Sequence, residues 1–171
     1  VLCFTTEEAF LESRFASQAD SVHLLQFPDT PGAWHDDALA ARWERIFQVR
    51  RVVTGALEVE RREKRIGASL EAAPRVHITD PDLFAAFEGE DPAELFITSG
   101  AVLVEAPAPA GSFTLEDVAH VAVVPALAEG VKCARSWKYF DPATADLADP
   151  GITPRDAAAV RAWDANAAGD A

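Results

Sequence analysis

With 171 residues, 49% of them hydrophobic, the chain is long enough to bury a core, and no apolar run reaches the roughly 18 residues of a membrane span. Its net charge of −13 excludes a nucleic-acid binder that works by overall charge, and two cysteines, Cys3 and Cys133, exclude a disulfide framework and read as reduced thiols of a cytoplasmic protein. The sequence has no methionine and opens on apolar residues, so it reads as a fragment with any catalytic centre upstream.

In chain order, Thr5-Thr6-Glu7-Glu8 has the form of a capping box and predicts a helix from about Thr6 to Ala16, with VLCF ending an earlier element. Residues 21–35, with two prolines and a glycine among apolar residues, read as an extended crossing segment. Asp36 and Asp37 open the strongest helix. Leu39, Trp43, Ile46, Val49, Val53 and Leu57 recur at i, i+3, i+4 spacing, Ile66-Gly67 supplies the stop, and Gly55 lies inside. Of fifteen Lys and Arg residues, eight fall between Arg42 and Arg65, a locally basic segment on an acidic body. Its outer face is open to two readings, a solvated face of i, i+4 pairs or a face that tracks phosphates.

From residue 74 the period changes. RVHIT (75–79) alternates as a strand, Asp80-Pro81 opens a short helix to Phe87, and ELFIT and AVLVE (94–105) read as two strands around a Ser99-Gly100 turn. APAPAG (106–111) is a connector, and VAHVAVV (118–124) with VKCA (131–134) reads as a second strand pair. There is no internal repeat.

No nucleophile constellation or phosphate-binding loop occurs, and His23, His35, His77 and His120 are scattered as surface or edge-strand residues. No catalytic residue is assigned. The tail has a spacing of its own: Cys133 and Ser136 are two residues apart as in C-x2-C, and Thr153 and Asp156 repeat the interval sixteen residues later. Cysteine at all four positions would give the spacing of a four-cysteine zinc ribbon. Beside it Trp137, Tyr139 and Phe140 alternate with Lys132, Arg135 and Lys138, a mixture that suits unpaired bases and phosphates, or else the core and rim of a small knuckle.

GALEVERREKRIGASLEA (55–72), ELFITSGAVLV (94–104) and VKCARSWKYF with ITPRDAAAV together resemble the C-terminal region of bacterial isoleucyl-tRNA synthetase, and FTTEEAF resembles the last helices of its anticodon-binding domain. The resemblance implies a class I ligase that charges isoleucine onto its tRNA, with ATP and Mg used in the full enzyme. The HIGH and KMSKS signatures of that chemistry are not in these residues. It also implies a four-cysteine zinc knuckle in the tail, from which this sequence departs at Ser136, Thr153 and Asp156. A thiol, two hydroxyls and a carboxylate make a poor zinc set, so zinc is not expected. Thr153-Pro154-Arg155-Asp156 reads instead as a helix start.

The sequence therefore predicts an α+β protein, in which a helical segment with one long amphipathic helix leads into a small mixed α/β module and a degenerate, metal-free zinc-ribbon-like tail. The divisions are residues 1–35, 36–129 and 130–171. The expected partners are tRNA and upstream domains of the same chain, with no membrane and no DNA. The candidate tRNA-binding residues are Arg50, Arg51, Arg61, Arg62, Lys64 and Arg65 on the helix and Lys132, Arg135, Trp137, Lys138 and Arg155 in the tail. The alternative is an acidic structural or protein-interaction module that binds no nucleic acid.

Overall fold

The computed structural model describes residues 2–169, so Val1 of the VLCF run lies outside the described residues. The described residues fall into two compact units, divided between Asp37 and Ala38.

In the first unit, helix α1 (Cys3–Leu11) starts earlier and stops sooner than the capping-box reading, and it takes in the Cys3 and Phe4 of VLCF. Thr6 lies inside the first turn. Its hydroxyl donates backwards to the Leu2 and Cys3 carbonyls at 2.9 and 3.2 Å, which satisfies it without a cap. The Glu7 carboxylate accepts from the Ser21 hydroxyl at 2.9 Å and the Val22 amide at 3.0 Å. This fastens the first of two 3-10 turns, Val22–Leu24 and Gly32–Trp34, that punctuate the crossing segment.

The second unit is built on α2 (Asp37–Arg62), whose stripe of Ile46, Val49, Val52, Val53, Ala56 and Leu57 is buried. The helix ends before Gly67. Lys64 takes a left-handed conformation (φ 60°), its amide returns to Arg61 and the Arg65 amide to Glu60, a Schellman closure with lysine where glycine is usual. Gly55 does not break the helix. A β-carbon there would lie 3.0 Å from the Phe113 ring, so glycine lets that ring close on the helix.

A four-stranded sheet in the order β2-β1-β4-β3 covers the stripe, formed by β1 (Arg75–Ile78), β2 (Val102–Val104), β3 (Phe113–Leu115) and β4 (Val118–Val124). β1 runs parallel to β2 and antiparallel to β4. Val76, Ile78, Val121 and Val123 meet the helix stripe in one core with Phe87 and Phe96. The protein is thus mixed α+β, with a long helix and a small sheet. His77 is buried on an inner strand, not on an edge, with Nδ1 3.3 Å from the Ala106 carbonyl.

Two further assignments differ from the sequence reading. ELFIT is not a strand: α3 (Pro81–Ala85) is followed by α4 (Pro92–Phe96), because Asp91-Pro92 repeats the entry of Asp80-Pro81. Asp91 Oδ1 accepts from the Ala93 amide at 2.9 Å, and Ile97 at φ 57° closes the helix. Nor does the segment 131–134 pair with 118–124. Strand β4 pairs with β1 and β3, whereas β5 (Val131–Lys132) pairs with β6 (Tyr139–Phe140) in a separate hairpin. Gly130 enters that hairpin at φ 100°, where a β-carbon would run into the Phe140 carbonyl. Helix α5 (Pro154–Gly169) ends the described chain, and among the described residues no helix is long and apolar enough to cross a membrane.

Candidate nucleic-acid interface

The hairpin connection and the start of α5 bring the four spaced tail positions together. Cys133 and Ala157 are fully buried at this junction. Around them the Ser136 hydroxyl donates to Asp156 Oδ2 at 2.6 Å, the Thr153 hydroxyl to the same oxygen at 2.7 Å, and the Cys133 thiol at 3.2 Å. Thr153 Oγ1 also accepts from the Asp156 amide at 3.1 Å, the N-cap bond that the sequence reading anticipated. Burial raises the Asp156 carboxyl, but the Ser136, Thr153 and Cys133 donors, with Arg135 nearby, outweigh it and hold it below the ordinary carboxylate value.

These residues do not fit zinc. A zinc centre needs ligands with lone pairs facing the ion, whereas two hydroxyls and a thiol here send their protons to a single carboxylate oxygen. Among the described residues no group of three or more His, Cys, Asp or Glu could hold a metal ion.

The hairpin presents the aromatic and basic candidates. Trp137 is 63% exposed in a left-handed conformation (φ 65°), its amide tied to the Cys133 carbonyl at 3.1 Å, and the Lys132 ammonium sits 5.5 Å from its ring centre. Tyr139 and Phe140 are half-buried. Arg135 is exposed. Lys138 and Arg155 converge on Glu94 of α4, donating to Oε1 at 2.6 and 2.8 Å. Lys138 first, joined by the charge of Arg155, holds the Glu94 carboxyl below its usual value against the opposing effect of burial.

The long-helix candidates go to separate partners. Arg50 Nε donates to the Leu95 carbonyl at 2.9 Å, and Arg51 pairs with Asp117 at 2.6 Å. Arg61 pairs with Glu58, and Arg65 with Glu60 and Glu63. Among the described residues Arg62 and Lys64 show no ion pair. Sequence reasoning missed Glu94, which sits in the misread ELFIT segment, and it missed Ser99, read as a turn residue. The Ser99 hydroxyl donates to the Leu70 carbonyl at 2.5 Å and accepts from the Tyr139 amide at 2.7 Å, which docks the hairpin on the module. An Asp-Pro pair ahead of ELFIT was the available signal for Glu94's helix; Ser99 carried none.

No protein-family model matches the chain. It is 58% identical over 161 residues to the isoleucine–tRNA ligase of Agrobacterium fabrum (strain C58 / ATCC 33970), and 55% over 161 residues to that of Brucella abortus biovar 1 (strain 9-941). The ligase of Caulobacter vibrioides is 52% identical over 162 residues. Each alignment takes in 94–95% of this chain, yet the chain spans only 16% of the length of these curated relatives. At 50–58% identity over 94–95% of its own length, the chain matches a C-terminal region of isoleucine–tRNA ligases.

Proposed function

We propose that the chain is the tRNA-contacting C-terminal segment of an isoleucine–tRNA ligase, supporting recognition of the anticodon arm. Catalysis with ATP and Mg belongs to the rest of such an enzyme, so this segment alone is inactive, and its place of action is the cytoplasm. The observation that carries the reading is Trp137, held out of the core at 63% exposure with Lys132 beside its ring. A fixed, exposed ring flanked by cations offers a stacking surface to an unpaired base and charge to its phosphate. In this reading the tail is a zinc-ribbon-like knuckle that keeps its shape without metal, through the Asp156 centre.

Titration of a tRNA that accepts isoleucine, against an unrelated tRNA, tests the reading on the 171-residue chain and on an intact ligase carrying it. Trp137→Ala should weaken binding by about 1–3 kcal/mol while leaving the melting temperature in place. Unchanged binding in both proteins refutes it. One observation favours the second reading, an acidic module with no RNA role: Arg51, Arg61 and Arg65 on or just past the long helix are already neutralised by Asp117, Glu58, Glu60 and Glu63. Neutralising Arg62 and Lys64 separates the two, since only the tRNA reading has the salt dependence fall by about one unit for each phosphate left without its cation.

A further inference from the structure

Two cations from different parts of the tail, Lys138 of the hairpin and Arg155 of α5, meet on one oxygen of Glu94. One carboxylate against two cations leaves an excess positive charge. The Lys138 side chain is 22% exposed and so is held in place, while Glu94 and Arg155 are open to solvent at 46% and 79%. Of five guanidinium donors Arg155 spends one on Glu94. Glu94 is not needed to dock the hairpin, because Ser99 takes the Tyr139 amide at 2.7 Å in a half-buried contact, and exposed ion pairs add little to stability.

A phosphodiester oxygen is an acceptor of the same kind as this carboxylate and engages lysine and arginine by the same charge-assisted bonds. We propose that Lys138 and Arg155 form a backbone-phosphate site for RNA, and that Glu94 fills it in the free protein as an internal competitor that RNA must displace. The proposal rests on the tRNA-contact reading above. It assigns Glu94 the opposite sign from the other named residues, for its loss should strengthen binding. Such a competitor also discriminates: a stray anion has to displace a tethered carboxylate, whereas RNA brings several phosphates and stacked bases at once.

The test uses the 171-residue chain and a fluorescein-labelled anticodon stem-loop of an isoleucine-accepting tRNA, with binding followed by anisotropy over a range of salt. Glu94→Gln keeps the side-chain length and a carbonyl acceptor, and thermal melts check that it folds. It should bind about 3–10-fold tighter near 0.1 M salt, with a salt slope steeper by about one to two units. Adding Lys138→Ala and Arg155→Ala to it should abolish the gain. Glu94→Gln binding that is equal to or weaker than wild type overturns the proposal, and weaker binding with a lowered melting temperature assigns Glu94 to pinning the tail. If Lys132→Ala with Arg135→Ala weakens binding while Glu94→Gln changes nothing, the competitor fails and the tRNA reading stands. If no variant binds the stem-loop even at the lowest salt, both fail.

Discussion

Replacing Asp156 by alanine removes the acceptor on which the Ser136 and Thr153 hydroxyls and the Cys133 thiol converge at 2.6, 2.7 and 3.2 Å. A hydrogen bond to a charged group contributes about 1.5–3 kcal/mol. The thiol is a weak donor and counts for less. Both hydroxyls are half-buried, so water takes over part of the loss and the lower end of the range applies. Two such bonds give a destabilisation of about 3 kcal/mol, which for a chain of this size lowers the melting temperature by about 6–12 °C. Calorimetry of Asp156→Ala beside Asp164→Ala, an exposed acid on the same helix, measures it. Hydrogen exchange should show the largest loss of protection in the tail amides. An Asp156→Ala melt within about 1 °C of wild type refutes the reasoning, since the four positions would then be held by apolar packing alone.

Because the Asp156 carboxyl sits below its unfolded value, its stabilisation is complete above the ordinary carboxylate value of about 3.9 and is lost as the pH falls further. Acid melts should show that loss in wild type and not in Asp156→Ala. The triple change Ser136→Cys, Thr153→Cys and Asp156→Cys restores four thiols at converging positions and should bind about one zinc per chain by elemental analysis. Wild type should purify with almost none, and a full equivalent in wild type contradicts the metal-free reading. Gly55→Val drives a side chain into the Phe113 ring, 3.0 Å from where its β-carbon falls, and should cost about 1–3 kcal/mol in denaturant titrations.

Much of the fold could be read from periodicity and caps. The α2 stripe from Ile46 to Leu57 and the Thr153 entry to α5 stand where their patterns put them, because helix spacing and cap chemistry are local. Segment 94–98 misled because apolar Leu95, Phe96 and Ile97 look strand-like alone, and the helix is imposed from outside by Asp91 and Pro92. Partnering was not legible: β4 reaches back to β1 over some forty residues, and nothing in its sequence distinguishes that from pairing with its neighbour. Phe113–Leu115 is too short to announce itself, and its place depends on the absent side chain at Gly55. In the tail, the spacing brought Cys133, Ser136, Thr153 and Asp156 together on paper as in the fold, but not which one would receive the others' protons.

The Ser99 hydroxyl bears on the order in which this protein assembles. It takes the Tyr139 amide of β6 while giving its own proton to Leu70, and Ser99 sits in the turn that follows α4. Until that turn has closed on the segment around Leu70, the second strand of the hairpin has no acceptor waiting for it. Refolding should therefore run from the helix-and-sheet body outward, with the tail amides the last to gain exchange protection and the first to lose it. A protease present during refolding would find residues 131–160 open after the body has closed, so a trimmed body lacking the tail is the species to look for at early times.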